Sequence, residues 1–313
     1  MTLFLQEIIV GVSAGAIYAL IALGYTMVYG IIELINFAHG DIFMIGSLVS
    51  ITILNIFGFT DNSNPPQGAM LVFVLFVTCV GSMLVCAILG VVIERVAYRP
   101  LRNAPRLAPL ISAIGVSLIL EDTGKLWKGI NFVTFPQIFP NQTFNIGPLS
   151  IESVNIFVVV VAVVLMIALQ WMVTSTRIGR AMRAVAQDRE AAALMGVNVN
   201  WIIGVTFFIG AALAGAAGFI YGLQFGSTIF YIGFQLGLVA FTAAVLGGIG
   251  NLVGAMLGGL LIGIIEALAN LIPDSVLPHG GTPWAPAIIF AVLILILVFR
   301  PSGLLGQQTP EKV

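Results

Sequence analysis

The stretch AMLVFVLFVTCVGSMLVCAILGVVI, residues 69–93, runs without a single charged side chain. About 20 apolar residues are enough to cross the hydrocarbon core of a bilayer as a helix, so this stretch reads as a membrane span. Working outward, comparable apolar runs lie at 5–25, 42–57, 107–120, 154–173, 201–223 and 285–299. A further run, 236–272, is rich in glycine and broken near Gly250 and Asn251. It reads as a short segment going in and a longer one coming back. The run 107–120 is too short for a straight crossing and is expected to be a half-helix or a re-entrant piece. The expected fold is all-α: a polytopic integral membrane helical bundle of about eight or nine transmembrane segments, some broken or re-entrant. It should form one transmembrane domain over 1–313.

Composition agrees. Hydrophobic residues make up 59% of the chain and charged residues 8%, against about 25% charged in a soluble domain. So much apolar surface is tolerated in lipid and not in water. The formal net charge of -1 gives no bias toward nucleic acid, and none is expected as a partner.

Basic residues concentrate in three places. Arg95, Arg99, Arg102 and Arg106 form one group, Arg177, Arg180, Arg183 and Arg189 a second, and Arg300 with Lys312 a third. Excess basic charge marks the cytoplasmic side, so these places, the C-terminus included, are expected inside. No basic residue precedes Arg95, which excludes a signal peptide and suggests an external N-terminus. The regions 58–68, 121–153 and 273–284 are then external, with Lys125 and Lys128 in a loop. Small-xxx-small pairs at Gly11/Gly15, Gly218/Gly222, Gly254/Gly258 and Gly259/Gly263 mark places where helix backbones approach closely. Cys79 and Cys86 would sit about 10 Å apart along one helix, too far for a disulfide. They read as packing residues.

The most informative polar stretch spans about 175–200. It is rich in helix formers and holds Arg180, Arg183, Asp188, Arg189, Glu190, Ala191 and Ala192, with Gly196 following. A short helix parallel to the membrane, then a glycine turn, is expected. Such a helix could lie on the lipid surface. Alternatively, Glu190-Ala191-Ala192, three residues and Gly196 resemble the EAA loop of ABC importer permeases, which docks into the ATP-binding subunit. Small alanines would let it seat deeply, and the glycine permits the turn. The Ile and Leu-Pro that follow in that pattern are absent, and Thr206-Phe207-Phe208-Ile209 stands there, which points to a subfamily.

Other motifs identify the subfamily. Gly179-Arg180-Ala181-Met182-Arg183-Ala184 through Ala192, Ile35-Asn36-Phe37-Ala38-His39-Gly40-Asp41, and Ala244-Val245-Leu246-Gly247-Gly248-Ile249-Gly250-Asn251 through Ala255 resemble the LivH type of branched-chain amino-acid permease. So do Gly15-Ala16-Ile17-Tyr18-Ala19-Leu20 and Phe299-Arg300-Pro301-Ser302-Gly303-Leu304. The resemblance implies a permease subunit in a bacterial inner membrane. It implies a second, LivM-like permease subunit, two ATP-binding cassette subunits and an external amino-acid-binding protein as partners, with membrane lipid around them. The cargo would be a branched-chain or other neutral amino acid, or, within the family, a urea-type compound.

The residues themselves place ATP elsewhere. Lys125, Lys128 and Lys312 are the only lysines, and none has the Gly-x4-Gly-Lys-Ser/Thr context of a phosphate loop. The chain is expected to be no enzyme and to bind no cofactor or metal. Gly247, Gly248 and Gly250 fail the dinucleotide spacing because Val253 stands at the third glycine. With Asn251 they read as a helix break.

Asn36, Phe37, His39 and Asp41, with Glu33 before them, interrupt two apolar runs. They are either a cytoplasmic turn capped by Asp41 or a discontinuous helix lining the translocation path. Glu266 stands near the outer interface or is paired within the bundle. An ion-coupled secondary transporter or channel would need several intramembrane charges, and a membrane enzyme a catalytic motif such as His-Glu-x-x-His. The docking-loop motif favours the ATP-driven importer over both.

Overall fold

A computed structural model describes residues 2–60, 65–102, 104–105, 107–140, 142–147 and 149–306. Arg106 and Lys312 lie outside the described residues.

The chain is a polytopic helical membrane protein. Its helices are α1 (Thr2–Ile32), α2 (His39–Ile56), α3 (Ala69–Ile93), α4 (Leu107–Lys128), α5 (Ser153–Ser175), α6 (Arg177–Gln187), α7 (Arg189–Leu194), α8 (Val199–Phe225), α9 (Ile232–Gly247), α10 (Leu252–Asn270) and α11 (Ala285–Phe299). A π-helical turn, Glu94–Tyr98, and a 3-10 turn, Arg99–Leu101, prolong α3. Among the described residues, eight helices are long and apolar enough to cross a membrane, and α9 is a shorter apolar one.

Two ends can be told apart. At one end short strands pair: β1 (Val133–Thr134) with β4 (Ser227–Thr228), and β2 (Thr143–Ile146) with β3 (Leu149–Glu152). The start of α1 lies there, since Gln6 Nε2 donates to Ser150 Oγ at 3.1 Å. At the other end Arg189 donates to the Ile31 carbonyl at 2.8 Å, and the backbone N–H of Leu305 donates to Gly247 O at 3.0 Å. The start of α1 and the segment after α11 are thus at opposite ends, which requires an odd number of traverses. The short α9 supplies it, leading from β4 at the strand end to the Gly247 turn at the arginine end. Its 16 residues give about 24 Å of rise.

Three helices form the centre. Most of α1, α2 and α8 is buried, and α1 carries apolar side chains all round, as a fully enclosed helix must. Around them α3, α4, α5 and α11 bare apolar faces, including Phe76, Ile119, Ile167 and Val298. A soluble protein would not tolerate that surface, and lipid covers it.

Close contact comes from glycine. A Cβ at Gly15 would lie 2.9 Å from Leu260 Cα, and one at Gly11 would lie 2.7 Å from Ala267 Cβ. At Gly259 and Gly263 it would run into the backbone of Ala19 and of Gly11 and Gly15. The pairs Gly218/Gly222 and Gly254/Gly258 also face neighbouring segments: the former meets α2 and Phe135, the latter the Ala243–Gly247 turn of α9. Cys79 and Cys86 are free thiols on α3.

Two expectations are corrected. The run 107–120 is no half-helix, because α4 continues for 22 residues to Lys128. Glu121, Asp122, Lys125 and Lys128 therefore ride on its last two turns and not in a loop. Long amine stems can reach water from there, and Lys128 Nζ sits 5.1 Å from the Trp127 ring. The glycine-rich break near Gly250 and Asn251 is, as expected, a turn between a shorter helix and a longer one, α9 of 16 residues and α10 of 19.

Substitution Gly263→Val should therefore cost more than about 2 kcal/mol, because the α1–α10 backbones cannot separate to admit it. Gly115, where a Cβ meets nothing within 4 Å, should accept Ala with no loss. Melting of the two purified variants in detergent would check the contrast, and an unchanged midpoint for Gly263→Val would refute it.

Candidate functional site

At the arginine end, the stretch expected to be one helix is two. Asp188 is extended, with φ -157° and ψ 113°, and its carboxylate accepts from the N–H groups of Glu190 at 2.9 Å and Ala191 at 3.0 Å. It thus ends α6 and caps α7, as an N-cap aspartate does. Thr176 caps α6 by accepting from Gly179 N at 3.1 Å. Beyond α7, Gly196 takes φ 83°, Gly196 N donates to Ala193 O, and Val197 N donates to Ala192 O. This pair of bonds is the Schellman closure, which favours glycine at the left-handed position.

α6 is amphipathic. Gly179, Met182 and Val185 are buried against the bundle, while Arg177, Arg180 and Arg183 are exposed. Arg183 donates to the carbonyls of Val173 and Thr174 at the end of α5. Arg189 does the same for α1 at Ile31. Each cation satisfies orphan carbonyls at a helix C-terminus, where the macrodipole favours positive charge. Arg102 pairs with Glu94 and donates to Asn200 Oδ1 at 2.6 Å. Half-burial pulls the Arg102 pKa down, and Glu94 beside it counters that pull.

On α7, Ala192 is buried while Glu190 and Ala191 face out. The tip was not singled out in the sequence: Leu194 is 88% exposed and Met195 84%. Two large apolar side chains thus project beside charged residues, a patch that marks an interaction surface, with protein or with membrane. Their sequence signal was their place just before the Gly196 turn. Between this segment and the core lies a cavity of about 500 Å³, lined in part by Ile31, Glu33, Arg102, Asp188, Arg189, Glu190 and Phe207. Glu33, exposed beside it, holds φ 55°, a rare conformation for a side chain of that shape.

The polar patch 36–41 proves to be a buried seam. α2 begins at His39, so His39 and Asp41 occupy its first turn, and Asp41 is no cap. Asn36 is 2% exposed, His39 1% and Asp41 0%. Asn36 Oδ1 accepts from Tyr98 OH at 3.0 Å, the His39 ring lies 4.8 Å from the Tyr25 ring, and Asp41 accepts from Ser117 Oγ. Phe37 is half-buried, its ring 6.0 Å from that of Phe241. Gly40 makes the closure possible: its Cβ would lie 2.8 Å from Gly237 Cα on α9. The segment is therefore not an open wall toward a second subunit in this conformation. Asn36 Nδ2 and Asp41 Oδ1 are buried without a hydrogen-bond partner among the described residues.

Gly247, Gly248, Gly250 and Asn251 make the turn between α9 and α10. Gly248 and Gly250 have φ 106° and 91°. Asn251 Oδ1 caps α10 at Gly254 N, 3.1 Å, and its Nδ2 donates to Leu305 O at 2.8 Å. Glu266 is paired within the bundle, accepting from Tyr18 OH at 2.6 Å.

Residues 8–297 match the family model described as the permease component of a branched-chain amino acid transport system. Among similar proteins, LivH of Escherichia coli K12, a high-affinity branched-chain amino acid transport system permease protein, is 44% identical over 99% of this chain and 98% of its own. BraD of Pseudomonas aeruginosa, described in the same words, is 42% identical over the same shares. A probable LivH of Methanocaldococcus jannaschii is 31% identical over 92% of this chain and 88% of its own. Matching over nearly its whole length, the chain belongs to the family of permease components of branched-chain amino acid transport systems.

Proposed function

We propose that this chain is the membrane-spanning subunit of an ATP-driven importer for branched-chain or other hydrophobic neutral amino acids in a bacterial inner membrane. The observation that carries the reading is the α6–α7 segment. It is clamped to the ends of α1 and α5 by arginine, and it offers Leu194, Met195 and Glu190 to a partner. A push on α7 would be passed directly to the ends of two helices. The partner is one of two ATP-binding subunits. A LivM-like permease stands beside this chain, and an external binding protein delivers the amino acid from the strand end. The arginine end is cytoplasmic by the positive-inside rule.

The substrate, a zwitterion with an apolar side chain, needs few polar contacts. The seam of Asn36, Phe37, His39 and Asp41 is the proposed path, closed in this state. Buried polar atoms left without partners, on glycine-lined contacts, suit a surface that opens. No fixed charge pair is required when ATP drives alternating access.

Replacing Leu194 and Met195 by Ser should weaken capture of co-expressed ATP-binding subunits by about thirtyfold or more, taking about 2 kcal/mol for a docking anchor. Gly196→Val should abolish uptake of labelled leucine while the protein still reaches the membrane. Normal capture and normal uptake by these variants would leave the segment as a surface helix only. Single cysteines at 36, 37 and 39, with Cys79 and Cys86 replaced, should react with a small polar thiol reagent in one nucleotide state and be protected in another. Equal reactivity in every state would refute the path.

A further inference from the structure

Among the described residues three arginines follow the membrane part of α3, and of these only Arg102 is engaged, with Glu94 and Asn200. Arg95 and Arg99 are exposed and have no ion pair or hydrogen bond from their side chains among the described residues. Both line a second cavity, of about 340 Å³, between the end of α3 and the start of α8. Glu94 lines it too, but its carboxylate is tied to Arg102. The cavity keeps an excess of positive charge that nothing among the described residues answers.

Its shape is graded. Along α3 the lining runs from Arg99 through Arg95 to Val91, and along α8 from Asn198, Asn200 and Trp201 through Gly204 and Val205 to Phe208. From Arg99 back to Val91 is about 12 Å along the helix, and from Trp201 to Phe208 about 10 Å. α3 runs toward the arginine end and α8 away from it, so both walls turn from polar to apolar in the same direction. That direction leads into the membrane. Trp201 is 54% exposed and Phe208 38%; an interfacial tryptophan marks the headgroup level. The floor is open because Gly204 has no side chain, and a Cβ there would meet only Glu94 Oε2, at 4.0 Å.

We propose that this groove holds one anionic phospholipid. Its phosphate lies between Arg95 and Arg99, whose planar forks match phosphate oxygens, and an acyl chain lies along Val91, Val205 and Phe208. A free phosphate would use the arginines but leave the apolar half without purpose. The occupant would brace the first turns of α8, the helix that continues directly from α7 and the Gly196 turn.

The test uses the full-length chain in a mild detergent, with native mass spectrometry for bound lipid and thermal melting for its effect. Phosphatidylglycerol should be retained and should raise the melting midpoint. Phosphatidylcholine and inorganic phosphate at the same concentration should not. Changing Arg95 and Arg99 together to Gln should weaken phosphatidylglycerol binding about twenty-five-fold, at about fivefold per basic contact. Gly204→Leu fills the groove while leaving both arginines in place, and it should also lose the lipid. If the double variant does not fold, Gly204→Leu decides alone. Wild-type affinity in either folded variant overturns the assignment, as does inorganic phosphate that reproduces the shift and displaces the lipid.

Discussion

The contact between α1 and α10 carries the bundle. In lipid no hydrophobic force drives one apolar helix onto another, so association rests on close packing and hydrogen bonds. Gly11 and Gly15 on one side, and Gly259 and Gly263 on the other, remove the side chains that would hold the two backbones apart. Besides α10, the helices α8, α9 and α5 pack along α1, while α3, α4 and α11 bare apolar faces to lipid. The same device seats Gly40 against Gly237, which seals polar side chains inside.

Charge does a different task. It is nearly absent from the spans and is spent at helix ends. Arg183 and Arg189 bond carbonyls that α5 and α1 cannot satisfy internally, and a buried helix end without such partners would be costly. These bonds make the segment of α6 and α7 a mechanical extension of the bundle. Its free edge, with Leu194 and Met195, is left uncovered by the described residues.

The polar groups within the spans fall into two kinds. Glu266 is met by Tyr18 OH, and Ser82 Oγ lies at 2.9 Å from the carbonyls of both Gly46 and Gly215. Such bonds hold helices together. Asn36 and Asp41 keep one atom each without a partner. An apolar medium makes that expensive.

Much of this was legible in the residues. The apolar runs place the spans, because length and hydrophobicity alone decide whether a segment belongs in a bilayer. Arginine placement gathers 95–102, 177–189 and 300 at one end. The motifs around Gly196 and Asn251 foretell turns, because their backbone angles and caps are local properties. The extension of α4 to Lys128 was not legible, since charged residues look like loop until a helix carries them to an interface. Nor was the burial of Asn36, His39 and Asp41: a polar turn and a sealed seam have the same sequence, and only the glycines of α9 lying opposite decide between them. Sequence determined which segments are apolar enough to cross and to which family the chain belongs, because those follow from local composition and order. Tertiary structure alone decided which arginines clamp helix ends and which stand free, since that depends on carbonyls and carboxylates brought close from distant parts of the chain.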